Sequence, residues 1–403
     1  MRPRRSLAVP VAVLAGYLAL TGCSISSDGA DSSSTSAASA LVPEIDASAF
    51  TPDFSAMGQL KDIASQGDGK IQVLLPDTTF STRYVQDDAP LLQKAFEAAG
   101  LREDQFAISN AHGSPVTMQQ QATAAIKSGA VVLLVDPLDP ASGAAIEQDA
   151  VAQGVAVIDY DRLVTGGPRD RYFVGFDDVA VGELIGRGLT DCVRRWHVKD
   201  PTVLVMNGSP SDDNAAMFNQ GYMSVLNPLF GDGRYTMAGE PPGTWDPRIT
   251  ARTFERQYTA HPRINAVVTA HDDSANAVIG VLRKEQVRAR TFPTTGQDAS
   301  LTGLRNILDG YQCGTVDKPI YLEAQAAAAL ALYLRAGLTP PSSLVNSSTR
   351  DPQTHAHIPS VYGAARWVTR ANMADTVVKD GSVTVNDLCA GTVARHCRSA
   401  GIN

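Results

Sequence analysis

The sequence predicts an α/β protein built as two doubly wound parallel-sheet lobes with a ligand cleft between them. From residue 70 onward, short β-branched runs alternate with Ala-rich amphipathic segments. Near-continuous apolar strands separated by helices are typical of parallel sheets that carry helices on both faces. The alternation continues well past the length that one sheet needs, and polar residues follow the strands. Together these observations predict two sheets.

Strands and helices can be placed from the spacing of the apolar residues. The predicted strands are Ile71–Leu75, Val131–Val135, Val155–Ile158, Val203–Met206, Ala266–Thr269 and Gly314–Val316. The predicted helices are Ala89–Ala99, Met118–Ser128, Gly143–Gln153, Val179–Trp196, Ala215–Asn227, Pro247–Ala260 and Ser274–Glu285.

Polar motifs come directly after strands in both halves of the chain. They are Asp77–Tyr84, Asp136-Pro137, Asp159–Arg162, Ser209–Asn214, His271-Asp272 and Gln297-Asp298. In open parallel sheets, ligands bind at the carboxyl ends of the strands. Two sheets with these ends facing each other would bring the six loops onto one cleft.

The loops carry the residue types from which sugar sites are built. Asp, Asn, Arg and Lys make directional hydrogen bonds to hydroxyls, and Trp or Tyr covers the apolar face of a sugar ring. The candidates are Arg83, Tyr84, Asp161, Arg162, Asp212, Asn214, Trp245, Asp272, Asp298 and Lys318. Each one alone also has a structural explanation, because an Asp after a strand often caps a helix and a Trp often fills a core.

Other kinds of site fit the sequence less well. The acidic pairs Asp212-Asp213 and Asp272-Asp273 admit a glycoside hydrolase or a calcium site, but the spacing contains no EF-hand loop. No nucleophile elbow, phosphate-binding loop, zinc-protease motif or nicotinamide-binding fingerprint is present. The net charge of −8 argues against nucleic-acid binding. We therefore expect no metal, no cofactor and no catalysis.

The amino terminus predicts export. Arg2, Arg4 and Arg5 precede a short apolar stretch from Leu7 to Leu20, which is typical of a signal peptide over residues 1–22. The run Leu20-Thr21-Gly22-Cys23 resembles the lipobox of bacterial lipoproteins, which implies a lipid anchor on Cys23. An ordinary signal peptide with an incidental Cys23 is the alternative. The Ser-rich segment that follows predicts a flexible tether, placed over residues 23–60.

Four further cysteines suggest disulfides, because an even number in an oxidising compartment favours pairing. Cys389 and Cys397 are close in sequence, which leaves Cys192 with Cys313. Buried free thiols are the alternative. The spacing typical of a zinc site is missing.

Several segments resemble the type I periplasmic binding proteins of the ribose/galactose group, above all its D-xylose-binding branch. They are Leu74–Asp77, Arg83-Tyr84, Tyr160–Arg162, Phe176-Asp177, Val181–Glu183, Asn207–Pro210 with Asp212 and Asn214, Gly296–Ala299 and Lys318-Pro319. The resemblance covers about Lys70 to Val385.

This resemblance implies two lobes joined by a three-strand hinge and closing on a monosaccharide. The first lobe is expected to span 70–176 and 316–350, and the second 177–315 and 360–403. The candidates above, except Asp272, take the family's sugar-contacting positions, with Tyr84 and Trp245 as stacking rings. His271 stands where the xylose-binding branch has Asn, and Tyr84 where it has Trp, so these two positions could change which sugar fits.

The implied function is that of an extracytoplasmic lipoprotein, anchored to the cell membrane, that captures a xylose-like pentose or a hexose. It would deliver the sugar as a monomer to the permease of an ABC importer. A sugar-sensing partner of a membrane kinase is one alternative, and a secreted glycan-acting enzyme is another.

Overall fold

The computed structural model describes residues 44–402. It contains twelve β-strands within this range. They are β1 Lys70–Leu75, β2 Phe106–Asn110, β3 Ala130–Val135, β4 Ala156–Tyr160, β5 Tyr172–Gly175, β6 Thr202–Met206, β7 Thr236–Gly239, β8 Ala266–Thr269, β9 Thr315–Asp317, β10 Ser347–Arg350, β11 His357–Tyr362 and β12 Arg366–Val368.

Twelve α-helices lie among the described residues. They are α1 Lys61–Gln66, α2 Ala89–Ala98, α3 Pro115–Lys127, α4 Pro140–Ala152, α5 Asp178–Arg195, α6 Asp213–Gly231, α7 Pro247–Ala260, α8 Asp272–Lys284, α9 Leu301–Asp309, α10 Ile320–Arg335, α11 Val385–Leu388 and α12 Ala394–Arg398. Short helical turns span Ala47–Ala49, Ser55–Leu60, Tyr84–Asp88, Ala374–Val378 and Gly391–Val393.

The first lobe is built on a seven-stranded sheet in the order β10-β11-β5-β4-β3-β1-β2. All neighbours are parallel except β10, which pairs antiparallel with β11. Side chains of one strand alternate between two cores: Ile71 and Val73 pack in one and Leu74 in the other. Because helices cover both faces, β1 is apolar on both sides, as doubly wound sheets require.

The second lobe is centred on the parallel strands β7-β6-β8. Parallel bridges from Val267 to Thr294 and from Gln297 to Val316 connect this sheet to the antiparallel pair β9–β12. Val203 and Val205 face one core and Leu204 faces another, so this sheet is also covered on both faces. The predicted fold of two α/β lobes is confirmed.

Helices α5 and α6 approach each other closely on one face of the second sheet. A side chain at Gly182 would place its Cβ 2.2 Å from the carbonyl oxygen of Phe218, and one at Gly221 would meet the backbone oxygen of Val179 at 2.2 Å. Only glycine fits these two positions. The tight packing brings the start of α6, with its polar residues, to the edge of the lobe that faces the cleft.

Three segments cross between the lobes. Residues 176–177 lead from β5 into α5, Lys318-Pro319 lead from β9 into α10, and residues 363–365 lead from β11 into β12. The Gly363 amide donates to the Gly175 carbonyl at 2.9 Å, so two of the crossings run side by side. Strand β11 pairs with β5 in the first sheet up to Tyr362. The predicted boundaries, which ended the first lobe at 350 and began the second again at 360, are wrong at this strand.

Residues 44–60, which were predicted to belong to the tether, are part of the first lobe. Phe50, Met57 and Leu60 are buried in the core of the first lobe, and the Gln325 amide donates to the Thr51 carbonyl at 3.0 Å. Apolar side chains occur at close intervals in residues 44–60, and the lobe can bury them. A flexible tether would lack such side chains. The predicted signal peptide, Cys23 and the tether up to residue 43 lie outside the described residues.

Both disulfide pairs proposed from the sequence are present: Cys192 is bonded to Cys313 and Cys389 to Cys397. Among residues 44–402, no helix combines the length and apolar character needed to cross a membrane. The same residues hold no group of three His, Cys, Asp or Glu side chains placed to bind a metal ion.

Candidate functional site

The loops at the carboxyl ends of both sheets meet in one cleft between the lobes. Its described lining is Asp77, Ser81, Arg83, Tyr84, Asp161, Arg162, Asp212, Asn214, Phe218, Trp245, His271, Gln297, Asp298 and Lys318. Of the predicted site residues, only Asp272 is missing from this lining. The sequence reasoning left out Asp77, Ser81, Phe218 and Gln297.

Arg83 is the centre of a buried ion network in the first lobe. Its Nε and Nη2 donate to both oxygens of Asp88 at 2.9 and 3.0 Å. Nη2 also donates to Glu323 at 2.6 Å, and Nη1 donates to Asp161 at 2.7 Å. A guanidinium has five N–H groups. Because four are engaged by the protein, Arg83 has one N–H left for a ligand and acts mainly by holding Asp161.

Asp161 contacts several of the positively charged side chains that line the cleft. Its Oδ1 also accepts from the Lys318 ammonium at 3.3 Å, and its Oδ2 accepts from the Tyr84 hydroxyl at 3.2 Å. Burial by itself raises the pKa of Asp161, but the charges of Arg83, Lys318 and Arg162 outweigh burial and hold the pKa below its ordinary range. Asp161 is therefore an anion in the closed cleft.

Several polar contacts join the two lobes across the cleft. The Arg162 Nε lies 2.8 Å from the Asp212 carboxylate. The Asn214 amide donates to the Asp161 carbonyl at 3.0 Å, and the Thr82 backbone N–H donates to Asp273 at 3.0 Å. These contacts hold the described arrangement of the lobes closed.

Trp245 is held by its indole nitrogen, which donates to Asp212 Oδ2 at 2.9 Å. The other Asp212 oxygen accepts from the Asn214 backbone N–H at 2.9 Å and caps α6. Asp212 is thus both a helix cap and a cleft residue. The backbone of Gly208 lies directly against the indole, because a Cβ there would be 2.1 Å from the ring. Trp245 also meets the edge of the His271 ring, with centroids 4.8 Å apart.

The Tyr84 ring is more enclosed by protein groups than a stacking platform for a ligand would be. Its side chain is buried, and the guanidinium carbons of Arg83 and Arg162 lie 5.7 and 5.5 Å from its ring centroid. Its hydroxyl is bonded to Asp161. The ring packs on the cations that line the cleft, whereas Trp245 is only half-buried.

Asp298 lies in a strained turn between the last bridge of the second sheet and α9. Asp298 and Ala299 both have left-handed backbone angles, with φ of 87° and 50°. Non-glycine residues adopt this region at a cost, which is typical of functional sites. The turn brings the Asp298 carboxylate within 3.8 Å of the Lys318 ammonium, inside the cleft.

Several buried polar atoms of the lining have no hydrogen-bond partner among the described residues. They include Asn214 Oδ1, Gln297 Oε1 and Asp298 Oδ1. The His271 ring has no side-chain hydrogen-bond partner and lies against the Phe80 backbone. A buried polar atom without a partner costs about 1–3 kcal/mol. These atoms are therefore available to hydrogen-bond a molecule bound in the cleft.

His271 is neutral in this setting. Burial lowers its pKa, and the nearby carboxylates of Asp273 and Asp298 oppose that effect only partly. A neutral imidazole offers one donor and one acceptor. It can therefore pair with a hydroxyl group in either direction.

Asp272 has a structural role, which corrects its predicted place in the site. Its oxygens accept from the Ser300 amide, the Gln312 amide and the Thr315 hydroxyl at 2.7, 2.7 and 2.9 Å. Burial raises the pKa of Asp272 to about 7. The carboxylate is turned inward because α8 and α9 pack around it, with Gly296 and Gly303 leaving it room.

The lining residues that were not predicted differ in whether the sequence carries a signal for them. Asp77 and Gln297 lie in loops that the sequence had already marked, and Asp77 Oδ1 accepts from the amides of Thr79 and Phe80 at 2.6 Å. Phe218 projects into the cleft from α6, and no local signal distinguishes it from a core residue.

Comparison with known proteins gives a consistent picture. The model of the periplasmic binding protein domain matches residues 71–339. The D-xylose-binding periplasmic protein of Escherichia coli (strain K12) is 31% identical over 299 residues, which cover 73% of this chain and 86% of that protein. The multiple sugar-binding periplasmic receptor of Rhizobium radiobacter is 25% identical, over 79% of this chain and 92% of that receptor.

Solved structures agree in fold. A carbohydrate transporter solute binding protein from Chloroflexus aurantiacus, in complex with D-glucose, matches with a TM-score of 0.71 and 24% identity, over 79% of this chain and 97% of that one. A Caulobacter myo-inositol binding protein matches with a TM-score of 0.65 and 21% identity, over 78% and 97%. The resemblance seen in the sequence is confirmed: the chain belongs to the periplasmic binding protein family, type I, close to its D-xylose-binding members.

Proposed function

We propose that the chain is a substrate-binding protein for a neutral monosaccharide, a xylose-like pentose or a hexose. The unpaired polar atoms of Asn214, Gln297 and Asp298 carry this proposal, because they face one closed cleft beside the Trp245 indole. Hydroxyl groups can satisfy acceptors and donors alike, and the ring can cover the C–H face of a sugar.

The charge balance of the cleft supports a neutral ligand. Its cations Arg83, Arg162 and Lys318 each lie within 2.7 to 3.3 Å of an Asp161 or Asp212 carboxylate oxygen. Asp77 and Asp298 add two further carboxylates to the lining. An anionic ligand would meet no free positive charge, so polyols are favoured over sugar phosphates or acids.

The relatives support a role in transport. Their names describe xylose-binding and multiple sugar-binding periplasmic proteins. We propose that the closed, sugar-loaded form docks on the permease of an ABC importer. A ligand can shift the lobes to the closed state only if it binds that state more tightly. Contacts from both lobes to one sugar would supply that difference.

The motif around Cys23 supports a lipid anchor that keeps the protein at the outer face of the cell membrane. We propose that it works there as a monomeric, non-enzymatic receptor. Metabolic labelling with a fatty-acid analogue tests the anchor, since Cys23→Ser should abolish incorporation.

The decisive experiment is a calorimetric titration of the purified protein against a panel of pentoses, hexoses, inositols and sugar phosphates. We expect at least one neutral monosaccharide to bind and to raise the melting temperature, as ligand linkage requires. Binding of sugar phosphates alone, or no binding at millimolar concentration, would overturn the proposal. Recovery of the sugar unchanged after long incubation tests the absence of enzymatic activity.

A further inference from the structure

A second concave surface lies at the far end of the second lobe. We call it the arginine groove; it is lined by Arg195, Trp196, Arg290, Gly310, Cys313 and Arg370 among others. Trp196 directly follows the last residue of α5 and Gly310 that of α9, whereas the cleft receives the beginnings of the helices. Helix α5 has 18 residues, so about 27 Å separates its groove end from the end near the hinge.

The groove concentrates positive charge without acidic partners. Arg195, Arg290 and Arg370 form no ion pair within residues 44–402. No Asp or Glu is among the described residues that line the groove. The chain has 42 acidic residues against 34 Lys and Arg, so its net charge is negative. A cluster of three arginines without an acidic residue in the same lining has the opposite charge.

Two of the three arginines, Arg290 and Arg370, repel each other. Burial lowers the pKa of Arg370, and the charge of Arg290 lowers it further. A basic residue in the last turn of a helix is favoured by the helix dipole, which accounts for Arg195. Arg290 and Arg370 lie in turns outside any helix. The helix dipole therefore accounts for the position of Arg195 and not for those of Arg290 and Arg370.

Local structure holds the groove in shape. Arg290 has a left-handed backbone with φ of 61°, and its amide donates to the Gly310 carbonyl at 2.8 Å. Its side chain lies across Gly310, where a Cβ would meet Cγ of Arg290 at 2.9 Å. Arg370 donates to the Ser399 hydroxyl. The bond from Cys192 to Cys313 ties α5 to the floor of the groove.

We propose that the arginine groove binds a phosphate ester. Guanidinium groups match phosphate oxygens with paired hydrogen bonds, and three of them would neutralise a doubly charged group. Trp196 is half-buried at the same surface and could cover an apolar part of the ligand. The phosphate could belong to a small free ester or to the headgroup of an anionic lipid. This site is independent of the sugar cleft and of the function proposed for it.

The test measures phosphate binding by the full chain in the absence of sugar. The probes are inorganic phosphate, glycerol 3-phosphate, and vesicles of phosphatidylglycerol against phosphatidylcholine, all at low ionic strength, where screening is weak. We expect the triple variant R195Q/R290Q/R370Q to bind the ester at least about tenfold more weakly than the unmodified chain. Unchanged circular dichroism and melting would show that the variant is folded.

A matched control removes the same charge elsewhere. Arg252, Arg256 and Arg263 are exposed, so R252Q/R256Q/R263Q should retain binding within about twofold. Loss confined to the groove variant with soluble ester supports a small ligand, and loss seen only with phosphatidylglycerol vesicles supports the lipid source. Equal losses in both triple variants, or no binding of any probe, would overturn the proposal. Sugar affinity is measured separately, so the failure of either proposal can be recognised alone.

Discussion

The guanidinium of Arg162 in the first lobe lies 2.8 Å from the carboxylate of Asp212 in the second, and the same Asp212 oxygen accepts from the Trp245 indole. Both charged side chains are largely buried, at 12% and 4% exposed. One carboxylate therefore links closure of the lobes to the position of the aromatic ring. Separation of the lobes would break the Arg162–Asp212 pair, whereas the bond from the Trp245 indole to Asp212 lies within the second lobe.

Replacement of this carboxylate tests the link. Asp212→Asn should lower sugar affinity by about 10- to 100-fold, because the closed form loses a buried charge pair. The measurements are calorimetric titration and small-angle scattering, which should show a more open form in the variant. The exposed pair Arg187–Glu183 provides the control, since Arg187→Gln should leave affinity unchanged. Equal affinity of Asp212→Asn and the parent would contradict the role assigned to Asp212.

Replacement of Gln297 tests whether the unpaired atoms of the cleft bind a ligand. Its Oε1 is buried without a partner. Gln297→Met keeps the size of the side chain and removes that atom. We expect the stability of the sugar-free protein to stay within about 1 kcal/mol or to rise, and sugar affinity to fall about tenfold. Denaturant unfolding and titration are measured on the same samples. Lower stability with intact affinity would show that Gln297 is a structural residue.

The raised pKa of Asp272 predicts that the free energy of unfolding depends on pH. Its pKa is raised to about 7 in the folded protein, against about 3.9 for an unfolded Asp. Between these values the folded state binds more protons, so this group stabilises the fold below about pH 4 and progressively less as the pH rises to about 7. Relative to Asp272→Asn, the parent should lose about 4 kcal/mol of unfolding free energy across that window, because each pKa unit corresponds to about 1.4 kcal/mol. Urea unfolding at several pH values measures the difference.

The control for this profile is Asp149→Asn, an exposed position on α4. It should keep the parental dependence of unfolding free energy on pH. A parental curve parallel to that of Asp272→Asn would contradict the raised pKa.

The two disulfides should differ in their contribution to stability. Cys192 and Cys313 are 121 residues apart, and Cys389 and Cys397 are 8 apart. A longer closed loop loses more entropy in the unfolded chain. We expect C192A/C313A to cost about 4–5 kcal/mol and C389A/C397A about 2–3 kcal/mol. Chemical unfolding gives both values, and the reverse order would contradict the loop-entropy explanation.

The amino-terminal segment can be tested by truncation. The reference is a protein that begins at residue 44. Removal up to residue 60 should cost several kcal/mol, because Phe50, Met57 and Leu60 are buried in the first lobe. Equal stability of the two truncated proteins would mean that this segment is not part of the folded lobe.

Predictions from sequence succeeded where local pattern and burial agree. The strand Ala266–Thr269 and the helix Pro247–Ala260 have the predicted bounds, because an apolar run and an amphipathic repeat each match one structure. Helix α10 was missed because Ile320–Arg335 is buried nearly all round, so it has no polar face to reveal its period. Strand β2 was missed because only Phe106 is fully buried in it.

By itself the sequence determined the alternation of strands and helices, the two-lobed family fold and the loops that meet at the cleft, since these follow from apolar spacing and from motifs near strand ends. Only the tertiary structure decided which way each polar side chain turns. Asp161 is an anion held by Arg83 and Lys318, whereas Asp272 points into its own lobe. The physical reason is that orientation and pKa depend on partners far away in the chain, such as the Arg83–Glu323 pair.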